Sequence, residues 1–199
     1  MEARARTIPF KNTDNSYVTV TAREVLELRA EVAAPQLLGW RLRSEIGGEQ
    51  TEVALTEVEA YRSSDPASHS YGGPRGRNRI MFERPGYLYV YRSYGIHWCA
   101  NVVCEPEGVG AAVLFRAGRP LLGLALMERR RGRQTNLTKG PGNLCSALGI
   151  TGDHYGLDLL NADSVLRLLP DDPPARIVTT PRVGITKAVD LPWRFVAGA

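Results

Sequence analysis

Apolar and polar positions along the chain alternate with two different periods. Thr21 precedes Ala22, and Glu24 stands at the third helical position, the spacing of a capping box. Val25, Leu26, Leu28, Val32 and Leu37 then give an imperfect stripe of helical period, with Pro35 expected to break or restart the helix and Gly39 to end it. Period two follows. Trp40 to Glu45 reads as a strand, Gly47-Gly48 as a hairpin turn and Glu52 to Tyr61 as the returning strand. Tyr87 to Tyr91 alternates clearly, Tyr94-Gly95 reads as a turn and Ile96 to Val103 as the return, making a β-hairpin with an aromatic at its tip. Ala111 to Phe115 predicts another strand. Pro120 is placed to start a helix through Leu121, Leu124, Leu126 and Met127, ending in Glu128-Arg129-Arg130-Arg131-Gly132-Arg133. A loop from Thr138 to Asn143 leads to a short helix with Leu144, Cys145 and Leu148, and Val165–Leu169 and Arg176–Thr180 read as strands.

With 199 residues the chain fits one domain with a sizeable core. Residues 1–15 are polar and mixed, expected to be a loosely ordered segment ahead of a single domain over 16–199. The formal net charge of +4 is modest, so the placement of basic residues says more than their sum. No apolar run is long enough to span a bilayer, and the N-terminus lacks a signal peptide's layout. Cys99, Cys104 and Cys145 form no Cys-x-x-Cys pair, which favours reduced thiols and a cytoplasmic setting.

The stretch Leu55 to Tyr61 organises the chemistry. As a strand it puts Glu57, Glu59 and Tyr61 on one face and Val58 and Ala60 on the other. Taken alone, this is a strand with two solvated acids. The loop from Arg62 to Arg79 changes that: it carries His69 and Ser70, then Arg75, Arg77 and Arg79 around Asn78, and arginines beside glycines suit phosphate contacts. Tyr87 and Tyr89 read as sheet packing, whereas Tyr94 at a turn is a candidate for external contact. The arginines of 129–133 favour a helix C-terminus and equally suit phosphates. Other chemistries find little support. His97, Cys99 and Cys104 are close together but sit on an apolar strand and read as core, so no metal is expected. There is no Gly-x-Ser-x-Gly elbow, P-loop order or dinucleotide fingerprint. Arg182-Val183-Gly184 and Trp193-Arg194-Phe195 are distinctive but chemically silent at this level. What remains is an acid (Glu59), flat walls for a nucleobase (Tyr61, Tyr91), a histidine, an exposed aromatic able to enter a base stack and basic loops for phosphates.

Thr56 to Tyr61, Ala67-Ser68-His69-Ser70, Arg77-Asn78-Arg79 with Met81-Phe82, and Pro85 to Tyr91 with Tyr94-Gly95 resemble the 3-methyladenine DNA glycosylases of the mammalian alkyladenine glycosylase type. Asn101, Val113 to Ala117, Gly140 to Cys145 and Arg182-Val183-Gly184 continue the likeness in the same order, over roughly Ala34 to Phe195. The resemblance implies an α+β single domain: a curved antiparallel sheet, surrounding helices and a protruding β-hairpin. It implies a monofunctional enzyme of base excision repair that flips alkylated or deaminated purines out of double-stranded DNA and hydrolyses the N-glycosidic bond without a cofactor. On it, Glu59 is the general base and Arg116 its partner, while Tyr61, His69, Tyr91, Asn101 and Leu114 form the base pocket. Asn101 would reject normal guanine, and Tyr94 would enter the duplex. Arg75, Arg77, Arg79 and Lys139 would meet the DNA backbone. A monomer is expected, nucleoid-associated through DNA if the source is bacterial. Gly142-Asn143 departs from the serine-lysine pair expected there, and Arg92-Ser93 from a more apolar pair. The residues leave two other readings open: a non-catalytic nucleic-acid-binding module with Tyr94 as wedge, and a metal-dependent nuclease using Glu57 and Glu59.

Overall fold

The computed structural model describes residues 8–11 and 17–198. The expectation of a loose segment over 1–15 lies outside the described residues except at β1 (Ile8–Lys11), which pairs antiparallel with β2 (Tyr17–Val20). The capping box forms: Thr21 Oγ1 accepts from Glu24 N–H, and Glu24 accepts from Thr21 N–H. The helix it opens is short. α1 (Ala22–Leu26) stops, and α2 (Ala30–Gln36) starts again with Pro35 in its last turn. The break therefore falls at residues 27–29, not at Pro35. At that break Glu105 accepts the N–H of Ala30 at 2.9 Å and both bonds of Arg62, so a buried carboxylate from elsewhere begins the second helix.

Strands make the scaffold. β3 (Arg41–Ser44), β4 (Thr51–Arg62), β5 (Leu88–Ser93), β6 (His97–Val103), β7 (Ala111–Leu122), β8 (Leu166–Leu169), β9 (Ile177–Thr180) and β10 (Arg194–Ala197) form one antiparallel sheet. Its main path runs β5-β6-β7-β4-β10-β9, and β3 joins β4 to β8 at one end. α3 (Leu124–Arg131) and α4 (Pro141–Leu148) pack with α1 and α2 over one face, where Trp40, Phe115, Leu148 and the apolar side of β4 close the core. Among the described residues no helix is long and apolar enough to cross a membrane.

Pro120 does not start a helix. It lies inside β7 opposite Val53, where the pairing with β4 slips by a residue, and α3 begins after Gly123. A proline lacks a ladder donor and is tolerated at such irregularities. Two further slips sit nearer the middle of the same pair: Thr56 is an extra residue on β4 and Arg116 an extra residue on β7. The first lets Leu55, Val58 and Ala60 all enter the core, which strict alternation forbids.

Candidate active site

The site is a row across the sheet. Arg194 of β10 stands opposite Glu59 of β4, Glu59 opposite Leu114 of β7, Leu114 opposite Asn101 of β6 and Asn101 opposite Tyr89 of β5. Directly opposed residues share a face of the sheet, so five strands deliver these side chains to one place. The face they share is the one away from the helices.

Glu59 is not a solvated acid: its side chain is 0% exposed. A carboxylate without water needs donors, and it has three. Oε1 accepts the backbone N–H of Val183 at 2.8 Å. Oε2 accepts the Tyr61 hydroxyl at 2.8 Å and Arg116 Nη1 at 3.2 Å. Arg116 Nε also donates to Glu57 Oε1 at 2.7 Å, an oxygen shared with Arg194 Nε at 2.7 Å. As the bulged residue of β7, Arg116 is turned so that one guanidinium reaches both acids. Burial alone would raise the pKa of Glu57, but the hydrogen bonds from Arg194 and Arg116 hold it below the ordinary carboxylate value. Burial works to lower the pKa of Arg116 and the two glutamates outweigh it, so this arginine stays charged.

Above this layer lies a cleft of about 350 Å³. Tyr61, His69, Tyr91, Asn101 and Leu114, expected to form the pocket, all line it, as do Arg116 and Tyr94, while Glu59 sits just behind the lining. The His69 ring meets Tyr91 edge-on, with centroids 4.5 Å apart, and Tyr91 stacks on Tyr89 at 5.5 Å. Burial, with Tyr61's neighbour Glu59 adding to it, raises the phenol pKa of Tyr61, and burial likewise raises Tyr91, so both remain neutral flat surfaces. Asn101 donates from Nδ2 to Tyr89 O at 3.0 Å, which fixes its amide in the floor.

His69 is carried by the long loop after β4, and the loop is tied down. Asn78 Nδ2 donates to His69 O at 2.6 Å, and Ser70 Oγ donates to Gly110 O at 2.7 Å. Gly110 is glycine for a spatial reason: a Cβ there would lie 2.4 Å from the Phe82 ring and 2.8 Å from Ser70 Cβ. Nδ1 of His69 meets the Tyr89 hydroxyl at 2.8 Å. Burial, then the nearby Arg77, lowers the imidazole pKa, and burial pushes Tyr89 up to about 12. Tyr89 thus packs in the sheet as expected and also buttresses the cleft.

Tyr94 is 87% exposed, at the hairpin tip, with a φ of 50°. Arg75, Arg77, Arg79 and Lys139 are exposed and do not line the cleft. His97, read as core from its strand, is exposed, because the last turn of the hairpin runs past the sheet. Cys99, Cys104 and Cys145 are buried thiols, Cys99 facing the cleft. Among the described residues no group of three or more His, Cys, Asp or Glu side chains stands together as a metal site. Glu57 and Glu59 are engaged with arginines, which removes the basis for a metal-dependent nuclease.

Sequence reasoning missed the segment after β9. Arg182 and Asp65 form an ion pair with both side chains 0% exposed. The Arg182 guanidinium lies over the Tyr61 ring at 4.6 Å and the Trp193 ring at 5.3 Å, and donates to Ala60 O at 3.0 Å. It therefore backs the cleft wall while the next residue supplies the N–H held by Glu59. Val183, Gly184 and Ile185 complete the lining. The one signal available was the Arg-Val-Gly triplet itself, whose working part is a backbone N–H that no residue type announces.

A carboxylate held beneath a cleft with flat walls is equipment for hydrolysis beside a planar base, and the relatives of this chain make it a hydrolase of N-glycosyl bonds. The chain belongs to the methylpurine-DNA glycosylase family, whose model matches residues 24–199. Three relatives bear the name "Putative 3-methyladenine DNA glycosylase". One from Rhodopseudomonas palustris is 47% identical over 196 residues, covering 98% of this chain and 92% of its own length. One from Nitrosospira multiformis is 51% identical over 143 residues, 71% and 73% of the two chains. One from Rubrobacter xylanophilus is 47% identical over 161 residues, 80% and 84%.

Proposed function

We propose that this chain, acting as a monomer, flips alkylated or deaminated purines out of double-stranded DNA and releases them as free bases. One observation carries the reading: the buried carboxylate of Glu59, clasped by Tyr61, Arg116 and Val183 beneath an aromatic cleft. Glu59 is the general base. It takes a proton from a water whose oxygen bonds to C1′ of the deoxyribose, while the glycosidic bond breaks and its electron pair leaves with the purine. Arg116 holds the carboxylate and, with it, the place of the water. Carboxylate charge near the sugar also stabilises the positive charge that develops there.

Tyr61 on one side and the His69–Tyr91 pair on the other form walls that suit a flat base and attract a cationic one. Methylated purines bearing a positive charge leave as neutral bases and need no acid. Hypoxanthine and ethenoadenine must gain a proton to leave, and the lowered His69 and raised tyrosine pKa values supply no ready donor. They are accordingly the slower class. Asn101 in the floor discriminates against the exocyclic amino group of guanine, Tyr94 fills the space of the flipped nucleotide, and Arg75, Arg77, Arg79 and Lys139 meet backbone phosphates.

The test is free-base release from duplexes carrying methylated adenine, ethenoadenine or hypoxanthine. Release is expected from the cationic lesion first. No release from any of them refutes the proposal, and lesion-independent binding without product would favour a non-catalytic binding module. Glu59→Gln is expected to abolish release while a lesion duplex still binds.

A further inference from the structure

A second depression of about 410 Å³ lies on the far side of the hairpin tip. Ile96, His97, Trp98, Arg131, Ser146 and Thr151 are among its walls. It adjoins the first cleft through the start of α4, since Pro141 lines one and Gly142 the other. A Cβ on Gly142 would lie 2.8 Å from His97 Cβ, so the helix start and the hairpin tip touch.

The arginines that end α3 meet different fates. Arg129 pairs with Glu49 at 2.8 Å on the surface. Arg130 turns inward to Ile46 O at 2.9 Å and Ala147 O at 3.2 Å. Arg131 and Arg133 instead converge on one uncharged acceptor, Asn143 Oδ1, with Arg133 Nη2 at 3.3 Å. Asn143 is itself anchored by its Nδ2 on Lys139 O at 2.6 Å. Among the described residues neither guanidinium has a carboxylate partner, and the buried Nε of Arg131 has no hydrogen-bond partner. Burial, then the charge of Arg133, lowers the pKa of Arg131, as expected of a cation held beside a like charge without an offset. A favourable helix C-terminus accounts for cations in the last turn. It does not account for Arg133, which lies beyond the helix, nor for two guanidiniums gathered on one amide oxygen. Further positive charge stands nearby: Lys139 is exposed at the entry to α4, and Arg92 lies over Trp98 at 5.3 Å on the same hairpin.

Two forked donors without a counter-ion, beside an exposed aromatic tip, fit an anion that lies along a flat polymer next to an inserted ring. We propose that Arg131 and Arg133, gathered by Asn143, form a backbone-phosphate clamp that seats the DNA strand flanking Tyr94 in the second depression. The inference rests on the reading that the chain acts on duplex DNA. It also gives Gly142-Asn143 a role: where a lysine is expected in this loop, an asparagine collects one arginine from the end of α3 and one from just beyond it.

The experiment is the salt dependence of binding to a fluorescent undamaged duplex, for the wild type, Arg133→Gln, Arg131→Gln/Arg133→Gln, the corresponding double lysine variant and Arg129→Gln. Removing one arginine–phosphate pairing makes the slope of log affinity against log salt shallower by about 0.9, so about 1 for Arg133→Gln and about 2 for the double variant. Over a fourfold rise in salt, the double variant then loses about twelvefold less affinity than the wild type. The double lysine variant keeps the wild-type slope, and Arg129→Gln, which removes a charge already paired, leaves it unchanged. Arg133 is exposed, so its single variant keeps the test standing if the double variant does not fold. Equal slopes for the wild type and Arg133→Gln overturn the clamp, as does an equal drop for Arg129→Gln, which would mean a mere net-charge effect. Inorganic phosphate separates the other source of the same chemistry. If millimolar phosphate raises the wild-type melting temperature through Arg131 and Arg133 while the DNA slopes stay equal, the site takes free phosphate and the clamp is wrong. Base release from a lesion duplex is followed in parallel. A shallower slope without any release would sink the proposed activity and keep the clamp; release with an unchanged slope would do the reverse.

Discussion

Replacing Arg182 by methionine tests the support behind the cleft. The substitution keeps a long side chain between the Tyr61 and Trp193 rings but leaves the carboxylate of Asp65, 0% exposed, without its cation. Removing one partner of a buried ion pair costs about 3–5 kcal/mol, because the remaining charge stays buried. Asp65 keeps only the Ala67 N–H at 2.9 Å from its own loop, which does little to offset that. For a chain of this size each kcal/mol lowers the melting temperature by about 2–4 °C, so Arg182→Met is expected to melt about 6–20 °C lower. Adding Asp65→Asn removes the stranded charge and keeps an acceptor for Ala67. The double variant should therefore be more stable than Arg182→Met alone, with a coupling of about 2–3 kcal/mol between the sites. Thermal and urea unfolding of the wild type, both single variants and the double variant give the cycle. A loss under about 1 kcal/mol in Arg182→Met, or additive losses in the double variant, would refute the argument that the pair is held by mutual need. Base release well below the melting temperature asks a separate question. Arg182 precedes the Val183 N–H that Glu59 accepts at 2.8 Å, and a displacement of about 1 Å at a reacting group can cost about a hundredfold in rate. A double variant that is stable yet slow makes Arg182 a positioning residue; one with the wild-type rate makes it structural only.

Three more outcomes are expected. Glu59→Gln sets an amide N–H against one of three donors, so it should cost about 1–3 kcal/mol in stability as well as about 10²–10⁴ in single-turnover release; full activity would remove Glu59 from the role of base. Tyr94→Ala touches a side chain open to solvent, so stability should move by less than about 0.5 kcal/mol, while affinity for a lesion duplex falls by about 1–3 kcal/mol; unchanged affinity in a binding titration would argue against a wedge. His69 has a pKa below its ordinary 6.5, so it is neutral in the fold, and the stability this contributes is present above pH 6.5 and lost as the pH falls through the lowered folded value. Release of a cationic base should fall in the same direction, since a protonated ring repels it. Arg77→Gln should move that limb to higher pH, and an NMR titration of the histidine that shows no upward shift would contradict the assignment.

Much of this was readable from the chain. The period-two runs at residues 52–61 and 87–103 gave the two ribbons that hold the cleft, because half-buried strands must alternate, and Tyr94-Gly95 marked the turn between them. The helical segments were less legible. The break after Leu26 depends on Glu105, a partner from far along the chain, and Pro120 sits in a strand because of an irregular pairing that only β4 can supply. Glu59 was recognisable as an acid needing a reason, but its donors were not. Tyr61 is two residues away, Arg116 is brought in by pairing, and Val183 acts through its backbone. Arg182 was opaque for a related cause: its ion-pair partner Asp65 read only as part of a turn-rich loop, and the rings it touches come from two other segments.

The paired slips at Thr56 and Arg116 carry a consequence for how the chain can change length. Side chains on a strand face up or down by simple counting, and the extra residue at Thr56 resets the count between Leu55 and Val58. Deleting that one residue would not trim a surface. It would set Leu55 and Val58 two positions apart, so that Leu55, Val58 and Ala60 share the core face and Glu59 and Tyr61 the other by plain alternation, with Arg116 left as the one slip between them. Losing Val58 instead would turn Glu59 and Tyr61 toward the interior, so this ribbon can shed a residue at the slip but not beyond it, and the chemistry is protected by arithmetic as much as by packing.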